Sequence, residues 1–263
     1  MTGTENPATT SVPPAWNDAE LADPHRHAEK AVKVRGMFSA IAGSYDLNNR
    51  VHSLWRDQAW RRYAVRTAGV RPGDHVLDVA CGTGDLTELF AKSAAAQVVG
   101  GDFTPAMLDV ARTKQPVNLT AEQAAKVSYV DADAMSLAFP DASFDVVSIA
   151  FGIRNVTAPA KAVAEFARVL KPGGRLVILE FERPRFAPVR WFNDFYCGWI
   201  MPRTATLLSG DRSGAYKYLP KSVGTFMTRE QLSDVMRASG FKDVTSVGLT
   251  LGICVCYRGV RTG

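Results

Sequence analysis

Residues 74 to 104 hold the groups best able to do chemistry. The run Leu77-Asp78-Val79-Ala80-Cys81-Gly82-Thr83-Gly84-Asp85 is followed, after a helical stretch, by Val98-Val99-Gly100-Gly101-Asp102. Gly82 and Gly84 carry no Cβ, so the backbone can bend sharply and lie against a ligand, and the helix that follows offers unpaired N–H groups. Eighteen residues after Gly84, Asp102 closes a second apolar run, where a carboxylate accepts hydrogen bonds from both hydroxyls of a ribose. This is a seat for an adenosine. A dinucleotide fingerprint requires glycine at position 87, where this chain has Thr87. Asp78 and Asp85 flank the turn and would repel a pyrophosphate, but they suit a ligand bearing an amino group and a sulfonium. S-adenosylmethionine therefore fits better than NAD. The plain alternative is a glycine turn that only joins a strand to a helix.

The elements around this stretch can be read in order. Val76, Leu77, Val79 and Ala80 form a strand covered on both faces. Val127–Val130 is a third strand running into Asp131-Ala132-Asp133, and Asp133 stands where a carboxylate can take an adenine amino group. Phe144 to Phe151 is a fourth strand that leads into Gly152-Ile153-Arg154-Asn155, and Arg175 to Phe181 a fifth, after a Lys-Pro-Gly-Gly turn. Alternation of strands and helices predicts an α/β domain with a parallel sheet. Residues 31–66 read as a helical cap with a break at Ser44-Tyr45-Asp46, and Val244 to Arg258 as a terminal hairpin. Residues 1–30, with Pro7, Pro13, Pro14 and Pro24, read as a tail with little fixed structure, leaving 31–263 as one domain.

The chain has 263 residues, 46% hydrophobic and 22% charged, which suits one soluble domain with a full core. No apolar run is long enough to span a bilayer, and the N-terminus lacks a signal-peptide pattern. The four cysteines have neither C-x-x-C spacing nor a nearby histidine, which predicts a reducing, cytoplasmic setting and no metal site. The net charge of +5 does not mark a nucleic-acid binder, because the excess is local. Residues 183–226 hold it, with Trp191, Phe192, Phe195, Tyr196 and Trp199 interleaved among arginines. Such an insertion suits a lid over an apolar pocket, a peripheral contact with the inner face of an anionic membrane, or a homodimer contact.

Assembled, these residues resemble the ubiquinone/menaquinone biosynthesis C-methyltransferase family along nearly all of the chain from Met37. The resemblance rests on Tyr45-Asp46 with Asn49, Ser53 and Trp60, on Leu77 to Thr87, on Phe151-Gly152-Ile153-Arg154-Asn155-Val156, and on Tyr216-Lys217-Tyr218-Leu219-Pro220-Lys221-Ser222. It implies a class I S-adenosylmethionine-dependent methyltransferase: a Rossmann-like, mostly parallel seven-stranded sheet ending in an antiparallel hairpin. It further implies cofactor contacts at Thr83, Asp102 and the pair Asp133-Ala134, beside Asp78, Gly82 and Gly84 of the turn. The acceptor it implies is a polyprenylated quinol, demethylmenaquinol first and a ubiquinone precursor second. Ala150 departs from a serine carried by some members, chiefly of the ubiquinone type, and Tyr257 from a common histidine.

Methylating a quinol on carbon requires a phenolate whose charge reaches the ortho carbon, so the site must hold a base or cations and exclude water. Arg154 is expected to stabilise that phenolate and, with Asn155, to position the ring. Substitution of Arg154 by Ala is then expected to spare cofactor affinity and cut turnover. Tyr45 and His52 on the entry helix are the other candidates. Two other classes of function share these features, a non-catalytic cofactor- or lipid-binding protein and a methyltransferase for another apolar molecule.

Overall fold

The computed structural model describes residues 16–17, 19–25, 29–209 and 214–263. Its centre is β1 (His75–Val79), whose Val76, Leu77 and Val79 are buried because helices cover both faces. To one side lie β2 (Gln97–Asp102) and β3 (Val127–Asp131), to the other β4 (Phe144–Ala150) and β5 (Leu170–Phe181), all parallel. The sheet is completed by β6 (Phe241–Leu249) and β7 (Cys254–Arg261), in the order β3-β2-β1-β4-β5-β7-β6. β7 runs antiparallel to both of its neighbours. The expected mostly parallel, seven-stranded sheet with a C-terminal hairpin is the one observed.

Register decides where the chemistry sits. Asp78 pairs with Gly100 and Val79 with both Gly101 and Ile149, while Asp102 pairs with Asp131. The carboxyl ends of β1, β2, β3 and β4 therefore emerge along one edge, and a crevice there is the usual ligand site of an open α/β sheet. Core packing holds that edge in place. On one face Val163 and Phe166 of α7 (Pro159–Val169) pack on Leu77, Val147 and Ile178. On the other, Trp60 and Ala64 of α3 (Arg56–Ala68) and Phe90 of α4 (Asp85–Ala91) pack on Val76, Val146 and Val177.

The N-terminal cap comprises α1 (Lys30–Ile41), a tight turn over Ala42–Ser44, α2 (Tyr45–Ser53), and α3. The expected break at Ser44 is present, and there is a second that sequence did not signal. Leu54 and Trp55 are both left-handed, with φ of 51° and 60°, although neither is a residue that favours that region. The corner is held by capping bonds instead: Trp55 N–H donates to the Arg50 carbonyl at 2.8 Å, and the Ser53 hydroxyl to Asp57 at 2.8 Å. The tail expectation is corrected in its described part. Trp16 and Leu21 are buried, and Trp16 stacks on Tyr218 at 4.7 Å, because an apolar surface beside α1 needs covering. Residues 1–15, 18 and 26–28 lie outside the described residues.

The insertion begins with α8 (Ala187–Phe195), passes through one wide helical turn over Tyr196–Ile200 into α9 (Met201–Ser209), and returns through α10 (Ala215–Gly224). Two helices follow β2 and one precedes β6: α5 (Pro105–Asn118), α6 (Ala121–Ala124) and α11 (Arg229–Ala238). Among the described residues no helix is long and apolar enough to cross a membrane, and no cluster of His, Cys, Asp and Glu could hold a metal.

Candidate active site

A cleft enclosing about 140 Å³ lies at the carboxyl ends of the parallel strands. Gly82, Asp102, Asp133 and Ala134 line it, as do Tyr45 and Asn155. The roof comes from the cap, through Ala31, Val34, Phe38 and Tyr45. Asp102 is held ready by its neighbours. Gly82 N–H donates to one carboxylate oxygen and Thr104 N–H to the other, both at 2.8 Å. Burial raises its pKa, and those N–H bonds oppose the rise. Asp133 accepts from Met135 N–H at 2.8 Å through one oxygen, and the other has no partner among the described residues. An adenine amino group and a ribose diol therefore both have acceptors at suitable strand ends, and the cofactor expected from sequence fits the groups present.

The backbone at this edge is strained where it borders the cleft. Ala80 and Phe151, which follow β1 and β4, have φ of +51° and +58°. Such conformations cost of order 1–3 kcal/mol each and persist where the surroundings over-determine them. Here the cause is a close crossing: a Cβ on Gly152 would stand 2.6 Å from that of Ala80. Neither position carries a sequence signal beyond the neighbouring glycine.

Several expected site residues lie behind the cleft. Gly84 has φ +87°, and a Cβ there would collide with the Tyr129 hydroxyl, so packing alone requires a glycine at this position. Asp78 is fully buried and accepts from Thr87 at 2.7 Å and Ser148 at 2.8 Å; burial pushes its pKa up to about 6 against those bonds. The Thr83 hydroxyl donates to Asp46. Asp85 accepts from Lys114 at 2.6 Å, Gln58 at 2.9 Å and Arg50 at 3.2 Å. Burial opposes its charge, but Arg61 and Lys114 outweigh burial and hold its carboxyl down at about 2. The argument that Asp78 and Asp85 meet a cationic ligand is thus corrected. Both are engaged by the protein, and the Asp85 group ties the cap to the glycine turn.

The catalytic expectations divide in the same way. Arg154 is 3% exposed, and its guanidinium is engaged by Glu180 at 2.5 Å, the Phe151 carbonyl at 2.8 Å and Ser222 at 3.3 Å. It does not line the cleft, which corrects the reading of Arg154 as phenolate stabiliser. A cation neutralised by a buried carboxylate has little field left for a substrate. His52 is corrected too: its Nδ1 bonds the Tyr196 hydroxyl of the insertion at 2.9 Å, and burial lowers its pKa. Asn155 lines the cleft and is fixed by Tyr218, which donates to it at 3.0 Å. Tyr45 presents a phenol whose pKa burial raises, against the pull of Arg61 and an Asn49 hydrogen bond.

A family model described as the ubiE/COQ5 methyltransferase family matches residues 26–261. The chain belongs to that family. Similar relatives include the ubiquinone/menaquinone biosynthesis C-methyltransferase UbiE of Psychromonas ingrahamii, 40% identical over 235 residues, 88% of this chain and 92% of that one. The UbiE of Ectopseudomonas mendocina is 41% identical over 236 residues, 89% and 91% of the two chains. Among solved structures, a SAM-dependent methyltransferase of Thermotoga maritima superimposes with a TM-score of 0.61 at 21% identity, covering 86% of this chain and 98% of that one. A methyltransferase of Haloferax volcanii, solved with its Trm112 activator, gives 0.60 at 18% identity, covering 86% and 98%. These two share the fold. This ubiE/COQ5 methyltransferase thus takes S-adenosylmethionine, whose adenosine the strand-end carboxylates of the cleft fit.

Proposed function

We propose that the enzyme methylates a ring carbon of a polyprenylated quinol, with demethylmenaquinol as acceptor and menaquinol as product. The observation that carries this reading is the composition of the cleft beyond the adenosine end. Ala150, Phe151, Val156, Phe38 and Val34 are apolar and Tyr45 and Asn155 polar, which suits a flat ring bearing hydroxyls. Ala150 favours the menaquinone type, since its position is the one where some members, chiefly ubiquinone-type, carry a serine. The cofactor, when bound, supplies an electrophilic methyl group. Tyr45, kept protonated by burial, is a donor to the developing quinolate oxygen and not a base. Asn155 orients the ring through the amide hydrogen left over after its bond to the Phe151 carbonyl. The cap excludes water. Mass spectrometry of products from demethylmenaquinol and from the methoxy-polyprenyl-benzoquinol precursor tests the choice: methyl transfer to the first at a higher kcat/KM is expected, and preference for the second overturns it.

The insertion supports delivery of this acceptor from a lipid surface. Trp191, Phe195 and Trp199 stack on one another at 6.2 and 5.9 Å along the outside of α8 and the wide turn, and the Arg203 guanidinium lies 4.5 Å over Trp199. Trp191 is 72% exposed. Such a stripe with basic neighbours suits the interface of an anionic bilayer. Sedimentation with vesicles containing phosphatidylglycerol is expected to pull down the enzyme, and Trp191→Ala, Phe195→Ala, Trp199→Ala combined to weaken that by about tenfold or more. Undiminished binding of the triple variant overturns the docking role. Loss of a homodimer in the variant, without loss of vesicle binding, would assign the stripe to subunit contact.

A further inference from the structure

Helix α10 carries the Tyr216 to Ser222 stretch of the family resemblance, yet none of these residues lines the cleft. Helical period sorts its faces: Tyr218 and Ser222, four residues apart, are fully buried, while Lys217 and Lys221 are exposed. The buried pair meets the loop that follows β4. Ser222 accepts from Arg154 at 3.3 Å, and the Tyr218 hydroxyl donates to the Asn155 amide oxygen at 3.0 Å. Arg154 is occupied by Glu180, whereas Asn155 lines the cleft.

A side-chain amide has two ends of nearly the same shape, one a donor and one an acceptor, and its neighbours decide which end a ligand meets. The Asn155 nitrogen donates to the Phe151 carbonyl at 3.3 Å, but that carbonyl already accepts from Arg154 at 2.8 Å. By itself this long, shared bond is a weak guide. Tyr218 supplies the stronger one. Burial raises the pKa of its phenol, against the pull of Arg154, so the group stays protonated and has a hydrogen to give. Its ring is fixed, being completely enclosed and stacked on Trp16 at 4.7 Å with the planes 25° apart. With the amide oxygen held by Tyr218, the nitrogen and its second hydrogen are the end left for a molecule in the cleft. We propose that Tyr218 is a positioning residue of the acceptor site, fixing Asn155 as a hydrogen-bond donor to an oxygen of the quinol ring. This rests on the reading of Asn155 as the group that orients that ring.

Tyr218→Phe keeps the ring and its stack on Trp16 and removes only the hydroxyl. With demethylmenaquinol its kcat is expected to fall about 10- to 100-fold, as one misdirected buried amide would cost, while KM and the S-adenosylhomocysteine dissociation constant stay within about threefold of wild type. In an Asn155→Ala background, where no amide is left to orient, the same substitution is expected to cost less than about twofold. A packing role for the hydroxyl would lower turnover equally in both backgrounds. Wild-type turnover of neither demethylmenaquinol nor the benzoquinol precursor overturns the acceptor reading, and this assignment with it. Wild-type turnover combined with an undiminished kcat in Tyr218→Phe, with an equal loss of S-adenosylhomocysteine affinity, or with the same loss in the Asn155→Ala background, overturns this assignment alone.

Discussion

Arg154→Ala is expected to lower the folding free energy by about 3–5 kcal/mol, because it leaves Glu180 charged and unpaired at 2% exposure. Chemical denaturation measures this directly. For a chain of this size the accompanying fall in melting temperature is about 6–20 °C, a large share of a typical stability of about 5–15 kcal/mol. The loss reaches beyond one pair. Arg154 also holds the Phe151 carbonyl and Ser222, so its side chain ties the end of strand β4 to helix α10. Removing the charge from both sides, as Arg154→Met with Glu180→Leu, is expected to recover much of the stability, since a buried pair often does no better than an apolar replacement. A single variant with wild-type stability and lost turnover would restore the catalytic reading of Arg154.

Asp102→Ala is expected to act on affinity. Two charge-assisted hydrogen bonds to a ribose diol, each contributing about 1.5–3 kcal/mol, disappear together, so S-adenosylhomocysteine binds about 10²-fold or more weakly. Gly82 and Thr104 lose an acceptor as well, but what is left behind is two neutral N–H donors and not an unpaired buried charge. The free protein should therefore melt closer to wild type than Arg154→Ala does. Titration with S-adenosylhomocysteine beside a thermal melt separates the two effects, and a dissociation constant within threefold of wild type would remove Asp102 from the ribose site.

These two residues mark what could be read in advance. The place of Asp102 on the cleft was legible because it follows from local order: an apolar run, then an acid, at the carboxyl end of a strand beside a glycine turn. Asp133 and Gly82 were legible for the same reason, and so was the sheet. Strand period and the alternation with helices are properties of neighbouring residues, and they bring those ends to one edge whatever lies elsewhere.

Arg154, His52, Asp78 and Asp85 were placed correctly along the chain but not in their roles. Whether a charge is free to meet a ligand depends on which opposite charge arrives beside it. Glu180 lies 26 residues from Arg154, Lys114 lies 29 from Asp85, and Tyr196 lies 144 from His52. No local pattern encodes those approaches. The left-handed corner at Leu54-Trp55 was hidden likewise, held by bonds to Arg50 and Asp57. The sequence alone determined the sheet, the acids at the strand ends that border the cleft and the kinship of the chain, because these follow from periodicity and short motifs. Tertiary structure alone decided which side chains still carry an unanswered charge, because neutralisation depends on distance in space and falls off over a few ångströms.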